Sequence, residues 1–211
     1  MTNTHGVDIK LRDITSNNWA EAAKLEVRED QKKFVTPNLT TIAESKFVPG
    51  SCSLLKGIYQ GDTMIGFAWI TYNIRDHSYR LVRFMIDAKF QGQGYGKLAL
   101  LKILEFFKDP DQCFPAEKPI HLQEKDFCFS LVPEDPFLVT IYEKLDYMVV
   151  IEFIKRSKHI TLTERDLNTP KIVYTSLRPE NLPALALYKT IGFKETGKKI
   201  HHDIELRLVL D

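Results

Sequence analysis

The residues best equipped for chemistry form one short run, Gln91-Gly92-Gln93-Gly94-Tyr95-Gly96-Lys97. Its three glycines let the main chain approach a ligand, where a side chain would hold the ligand off. Between a strand and a helix, such a run presents free backbone N–H groups at a helix N-terminus, and the helix dipole there favours negative charge. The chemistry this predicts is phosphate binding, with Lys97 adding positive charge. Two familiar phosphate loops are excluded. G-x-x-x-x-G-K-[S/T], set on Gly96-Lys97, meets Gln91 at its first glycine and Leu98 at its hydroxyl; G-x-G-x-x-G meets Lys97 at its third glycine. A second group lies near the C-terminus: Asn181, and seven residues later Tyr188. The amide can cap a helix and also reach a ligand. A phenol of pKa ~10 stays protonated at neutral pH and can donate its proton.

These residues need elements to hold them. Residues 79–86 are an apolar run and read as a buried strand leading into the glycine loop. From Lys97, the residues Leu100, Ile103, Leu104 and Phe107 recur at i, i+3, i+4, i+7, the stripe of an amphipathic helix. Asn181 caps a second helix with Pro183 in its first turn. Ala184, Leu187 and Ile191 face a sheet, Gly192 closes that helix with positive φ, and Phe193 opens the next strand. Upstream, 7–14 reads as a strand. Asn17-Asn18 offers an N-cap with Glu21 as capping-box partner for a helix to about residue 27. Residues 28–37 read as a loop or short helix, and 42–47 as a helical turn. Residues 54–59 and 64–70 form strands joined by a hairpin turn at Gln60-Gly61-Asp62. The 64–70 run is apolar throughout, as expected of a central strand covered on both faces. Residues 73–77 are a polar connection and 108–119 a proline-bearing loop.

The second half holds an internal echo. Ser130-Leu131-Val132-Pro133-Glu134-Asp135 matches Ser176-Leu177-Arg178-Pro179-Glu180-Asn181 at an offset of 46 residues, and Tyr142, Leu145 and Tyr147 match Tyr188, Ile191 and Phe193. This reads as a tandem strand–helix–strand unit, with chance similarity as the alternative. The first copy is degraded: Asp135 stands for Asn181 and Asp146 for Gly192. It nevertheless lies nearer the phosphate-loop helix.

Gln91, Gly94 and Gly96 fit the pattern Gln/Arg-x-x-Gly-x-Gly/Ala. With Asp87-x-x-Phe90-Gln91 ahead and a helix behind, the segment resembles the pyrophosphate loop of the GCN5-related N-acetyltransferase (GNAT) superfamily. The stretch from Asn181 to Phe193 resembles that superfamily's other marker. The N-terminal likeness covers about residues 7–108. The resemblance implies an α/β fold with a mixed sheet of seven or more strands and helices on both faces. With the internal echo, the chain reads as one domain, 1–211, made of a core at 7–108, a degraded unit at 120–167 and a second unit at 171–211, where a member of the family ordinarily has one such unit. The resemblance also implies acetyl-CoA as co-substrate, held by Gln91, Gly92, Gln93, Gly94, Tyr95, Gly96, Lys97 and Asn181. A backbone amide near Phe84, Met85 and Ile86, where two parallel strands splay, would polarise the thioester. Tyr188, or alternatively Tyr142, would protonate the leaving thiolate, and only one of the two units can lie against the cofactor. At a pKa near ~10.4 fewer than about one primary amine in a thousand is neutral at pH 7, so a base or water chain is needed. Glu26, Glu29 and Asp30 stand where the family builds its acceptor site, Glu26 foremost, with a solvated charged face as the alternative reading of each. The hairpin residues His201-His202-Asp203 and the loop residues Asp76-His77 read as exposed turns.

A narrower likeness lies in Arg83-Phe84-Met85-Ile86-Asp87 followed by Phe90-Gln91-Gly92-Gln93-Gly94. It is similar to bacterial spermine/spermidine acetyltransferases and implies a small, polyamine-like amine as acceptor. Those enzymes tend to carry an acid just before the arginine, where this chain has Val82. That change puts polyamine specificity and the base in question.

Composition sets the remaining bounds. With 211 residues, 44% apolar and 27% charged, the chain suits a globular fold. A net charge of +1 gives no case for nucleic acid or an anionic membrane. No run of about 18 apolar residues predicts a membrane span, and residues 1–6 lack the build of a signal peptide. Cys52, Cys113 and Cys128 make no disulfide framework, which suits a cytoplasmic setting, and no metal-binding spacing appears. A homodimer is a family habit. The competing class is a fold that binds acyl-CoA without transferring, as sensor or scaffold.

Overall fold

The structure is a computed structural model and describes residues 8–47, 53–73, 78–108 and 171–210. Among these, seven strands form one mixed sheet in the order β1-β2-β3-β4-β5-β7-β6. The strands are β1 (Ile9–Asp13), β2 (Ser53–Gln60), β3 (Thr63–Asn73), β4 (Ser78–Ile86), β5 (Lys171–Leu177), β6 (Lys194–Ile200) and β7 (Asp203–Leu210). The helices are α1 (Trp19–Lys24), α2 (Asn38–Ser45), α3 (Tyr95–Lys108) and α4 (Leu182–Ile191). Every neighbouring pair is antiparallel except β4–β5.

Side-chain alternation along β3 shows why the helices divide between two faces. Phe67 and Trp69 join Tyr59, Met64 and Met85 on the face covered by α1 and α2, around Ala22. Ala68 and Ile70 join Ile58, Leu81 and Ile86 on the face covered by α3 and α4. The stripe expected of α3 is the one it buries: Leu100, Ile103, Leu104 and Phe107 all lie in the core, and the Phe107 ring stacks on Tyr79 with centroids 4.6 Å apart. The central strand is thus covered on both sides, as its unbroken apolar run requires.

Three local expectations differ, the first being α2, which spans Asn38–Ser45 where the sequence predicts a helical turn at 42–47. α1 ends at Lys24 rather than near residue 27, and the Asn18–Glu21 capping box does not form. The Asn18 side chain is engaged on the preceding turn instead. Its Oδ1 accepts from Thr15 N–H at 2.7 Å, and its Nδ2 donates to Asp13 O at 2.9 Å. The cap and stop expected of α4 are observed. Asn181 Oδ1 accepts from Ala184 N–H at 3.4 Å, Gly192 closes α4 at φ 110°, and Phe193 is buried beneath it. Residues 120–167, and with them Asp135, Tyr142, Asp146 and the first copy of the repeat, lie outside the described residues.

Candidate active site

The site begins where the parallel pair stops. β4 and β5 are joined through Tyr79–Val173, Arg80–Tyr174 and Leu81–Thr175, and no pairing follows. Thr175 fixes that last rung, its hydroxyl donating to Leu81 O at 3.0 Å. Beyond it the strands part, and no strand among the described residues pairs with the β4 edge turned toward β5.

Register shows which amides line the gap. Asp87 N–H donates to Ile65 O at 2.9 Å, beside the facing pair Gly66–Ile86. That bond flanks a non-hydrogen-bonded pair, so the N–H and C=O of Ile86 turn away from β3. Phe84, two residues earlier and opposite Ala68, has the same orientation. Ile86 O accepts from Gln91 Nε2 at 2.8 Å, as this orientation demands. The N–H groups of Phe84 and Ile86 therefore face the gap, and neither meets an acceptor among the described residues.

The glycine loop continues this edge. From Gly92 to Lys97 no main-chain N–H reaches a protein acceptor among the described residues; the first that does is Leu98, on Gly94 O at 3.3 Å. Gly92 and Gly94 sit at φ 78° and 86°, which L side chains rarely adopt. Gly96 differs. It lies inside α3 without a positive φ, and a Cβ there would approach Leu187 Cδ2 at 3.5 Å and Ile86 Cγ1 at 4.0 Å. Space in the cleft, not backbone strain, is what a side chain at 96 would take.

The cleft has two adjoining parts. One, of about 310 Å³, runs between the loop, the end of β4 and the start of α4, and its walls include Gln91, Gly92, Gly96, Ile86 and Asn181. The other, of about 730 Å³, opens on the far side of the splay, with Lys33, Arg83, Thr175, Tyr188 and His201 in its walls. Phe84, Met85 and Ile86 all border the first part, and Phe84, Val35, Asn181 and Ala184 border both. Gln93, Gly94, Tyr95 and Lys97 lie outside the lining. Tyr95 is half-buried, its ring edge-on to Phe90, and the other three are exposed.

Tyr188 is buried, its ring edge-on to Phe193 with centroids 5.2 Å apart. Burial pushes its phenol up to about 12, and a hydrogen bond with Thr175 offsets only part of that shift. It borders the second part of the cleft, beside the rung at which β4 and β5 separate. Glu26 is placed elsewhere. Its side chain is 70% exposed, pairs with Lys32 at 3.3 Å, and borders neither part. Lys32 is bound still closer to Glu29, at 2.9 Å, and these partners raise its pKa. Asp203 pairs with Arg178 at 3.3 Å. His201 and His202 form the exposed two-residue turn expected of them, yet that turn borders the second part of the cleft.

Three features had no signal in the sequence. Thr175 is an ordinary strand threonine until its hydroxyl is seen bridging two strands. The Asp87 carboxylate, 6% exposed, accepts from Glu26 N–H at 3.1 Å and Lys89 N–H at 3.0 Å. Gln91 Nε2 also donates to Gln31 Oε1 at 2.8 Å. Together these clamp residues 26–31 to the glycine loop, so one wall of the cleft is built on its floor.

A model of the acetyltransferase (GNAT) family matches residues 17–117. That match places residues 17–117 in the GNAT superfamily. The chain's GNAT fold recurs in solved structures. A domain from Methanocaldococcus jannaschii aligns with TM-score 0.54 at 13% identity, covering 97% of this chain and 99% of that one. The ribosomal-protein-S18-alanine N-acetyltransferase from Escherichia coli aligns at 0.50 and 16%, covering 96% and 94%. A spermidine N-acetyltransferase SpeG chimera from Vibrio cholerae and hSSAT aligns at 0.52 and 12%, covering 95% and 94%. At these identities the likeness is one of fold. No curated protein sequence matches the chain.

Proposed function

We propose that this chain is an N-acetyltransferase that takes acetyl from acetyl-CoA to the primary amine of a small molecule, by direct attack in a ternary complex. The observation that carries the reading is the run of unpaired amides at 92–97 continuous with those of Phe84 and Ile86. Main-chain donors at a helix start suit a diphosphate, and donors along an open strand edge suit an amide-containing arm and a carbonyl.

Acetyl-CoA supplies the acetyl group as a thioester: the amine nitrogen bonds to the carbonyl carbon, the ammonium proton leaves to water, and the C–S bond breaks to give a thiolate. The N–H of Phe84 or Ile86 stabilises charge on the carbonyl oxygen, as preorganised donors do. Asn181 orients the cofactor arm while capping α4. Tyr188 is the acid: a phenol at about 12 is protonated at every working pH and gives its proton to the sulfur, to be restored from solvent. The test is titration with CoA followed by release of free thiol in a panel of amines. In Tyr188→Phe, turnover should fall at least tenfold with CoA affinity within twofold of the parent. CoA that does not bind would end the reading.

One observation favours the second reading, a CoA-binding module without transfer. Among the described residues Asp203 is the one carboxylate in the second part of the cleft, and it is already paired with Arg178. In that case thiol release stays at background for every amine, and Tyr188→Phe changes nothing.

A further inference from the structure

The second part of the cleft has a distinctive charge arrangement. Four separate segments supply its cations: Lys32 and Lys33 after α1, Arg83 on β4, Arg178 after β5, and the chargeable His201 and His202 between β6 and β7. Four described carboxylates nearby are engaged. Glu29 and Glu26 hold Lys32, Asp203 holds Arg178, and Glu44 stands 3.8 Å from Arg83. Two cations are left under-satisfied. Lys33 reaches no carboxylate among the described residues; its ammonium lies 5.0 Å from the centroid of the Phe34 ring. Arg83 donates from Nη1 to Val82 O at 3.0 Å and stands 3.8 Å from Glu44, while its buried Nε has no hydrogen-bond partner among the described residues, which is costly for a charged group.

A polycation entering this space would find no free carboxylate and would face Lys33 and Arg83. An anion would find both. Resting on the acetyl-transfer reading, we infer that the acceptor is a small primary amine bearing its own carboxylate or phosphate, with Lys33 and Arg83 holding that anion while the amine faces the splay of β4 and β5. The class differs from the polyamine that Arg83-Phe84-Met85-Ile86-Asp87 suggested, and Val82 agrees with the change, since a cationic substrate would want an acid there.

The test uses amines matched except for the anion: phosphoethanolamine against ethanolamine, β-alanine against propylamine, and spermidine beside them. With acetyl-CoA present, kcat/KM should be at least tenfold higher for the anion-bearing member of one pair. Which pair responds separates phosphate from carboxylate. Lys33→Glu alters an exposed residue, so the fold survives. It should cut that preference at least fivefold, through a higher KM for the anion-bearing amine, and exceed the effect of Lys102→Glu, the same charge change outside this cleft. Spermidine as the best acceptor, or a ratio near one in both pairs, overturns the inference. If no amine turns over, the transfer reading has failed, and titration of the same pairs into the protein with CoA still decides: tighter binding of the anion-bearing member upholds the inference, and equal binding overturns it.

Discussion

Gly96→Ala separates ligand contact from folding more cleanly than any other change in the loop. The residue sits in the first turn of α3 without a positive φ, and an added Cβ meets its nearest atoms, on Leu187 and Ile86, at 3.5 Å and 4.0 Å. Those are ordinary contacts, so the fold accepts the methyl. Replacing glycine where alanine fits removes freedom from the unfolded chain and stabilises by roughly 0.4–1 kcal/mol. For a chain of this size that raises the melting temperature by about 1–4 °C. The same methyl projects into the narrower part of the cleft, whose walls include both Leu187 and Ile86. A diphosphate backed onto the amides must then retreat. Hydrogen bonds to charged groups contribute about 1.5–3 kcal/mol each, so losing one weakens CoA about 10- to 100-fold. Calorimetric titration with CoA and a thermal melt of the ligand-free protein read the two effects separately. A variant that melts higher yet binds CoA as the parent does would refute the placement of the diphosphate; one that melts lower would refute the packing argument.

Two further outcomes follow from the same geometry. The Tyr188 phenol, moved from 10.0 to about 12 by burial, stays protonated in the folded chain while it ionises in the unfolded one. Its contribution is therefore full below pH 10 and is lost as pH rises to about 12, a loss of up to about 3 kcal/mol. Urea unfolding at about pH 9 and about pH 11.5 should show a steeper alkaline decline for the parent than for Tyr188→Phe; parallel declines would mean that the phenol is not held neutral. Asp87→Ala leaves the N–H groups of Glu26 and Lys89 without their acceptor, at a cost of about 2–4 kcal/mol. Urea unfolding should show that loss and titration a weaker grip on CoA, because wall and loop are joined there; full stability in the variant would show that the clamp does not hold them.

How much of this was legible in the sequence depended on the range of each interaction. The glycine loop, the α3 stripe, the Asn181 cap and the Gly192 stop are local: each is decided within a few residues, so spacing reveals it. The Asn18 capping box failed although it is local, because an amide has two ends and the turn before α1 engaged both. Glu26 has the chemistry of a base, but its direction is set by Lys32, one turn further on, and by the backbone clamp to Asp87. The cations around the second part of the cleft are far apart in the chain, from residue 32 to residue 202, and nothing near Lys33 foretells Arg178 or His201. Thr175 was invisible for the same reason: its role exists only once β5 lies beside β4.

The short seam between β4 and β5 has a mechanical consequence. Three facing pairs, the Thr175 hydroxyl and the link from Arg80 Nη2 to Glu205 at 2.9 Å join the two leaves of the sheet, above the core they share. Whatever slides between the leaves touches both and works as a strut. Cohesion between the two ends of the chain is then partly borrowed from the guest, so the vacant and filled molecules differ in stiffness even where their outlines coincide.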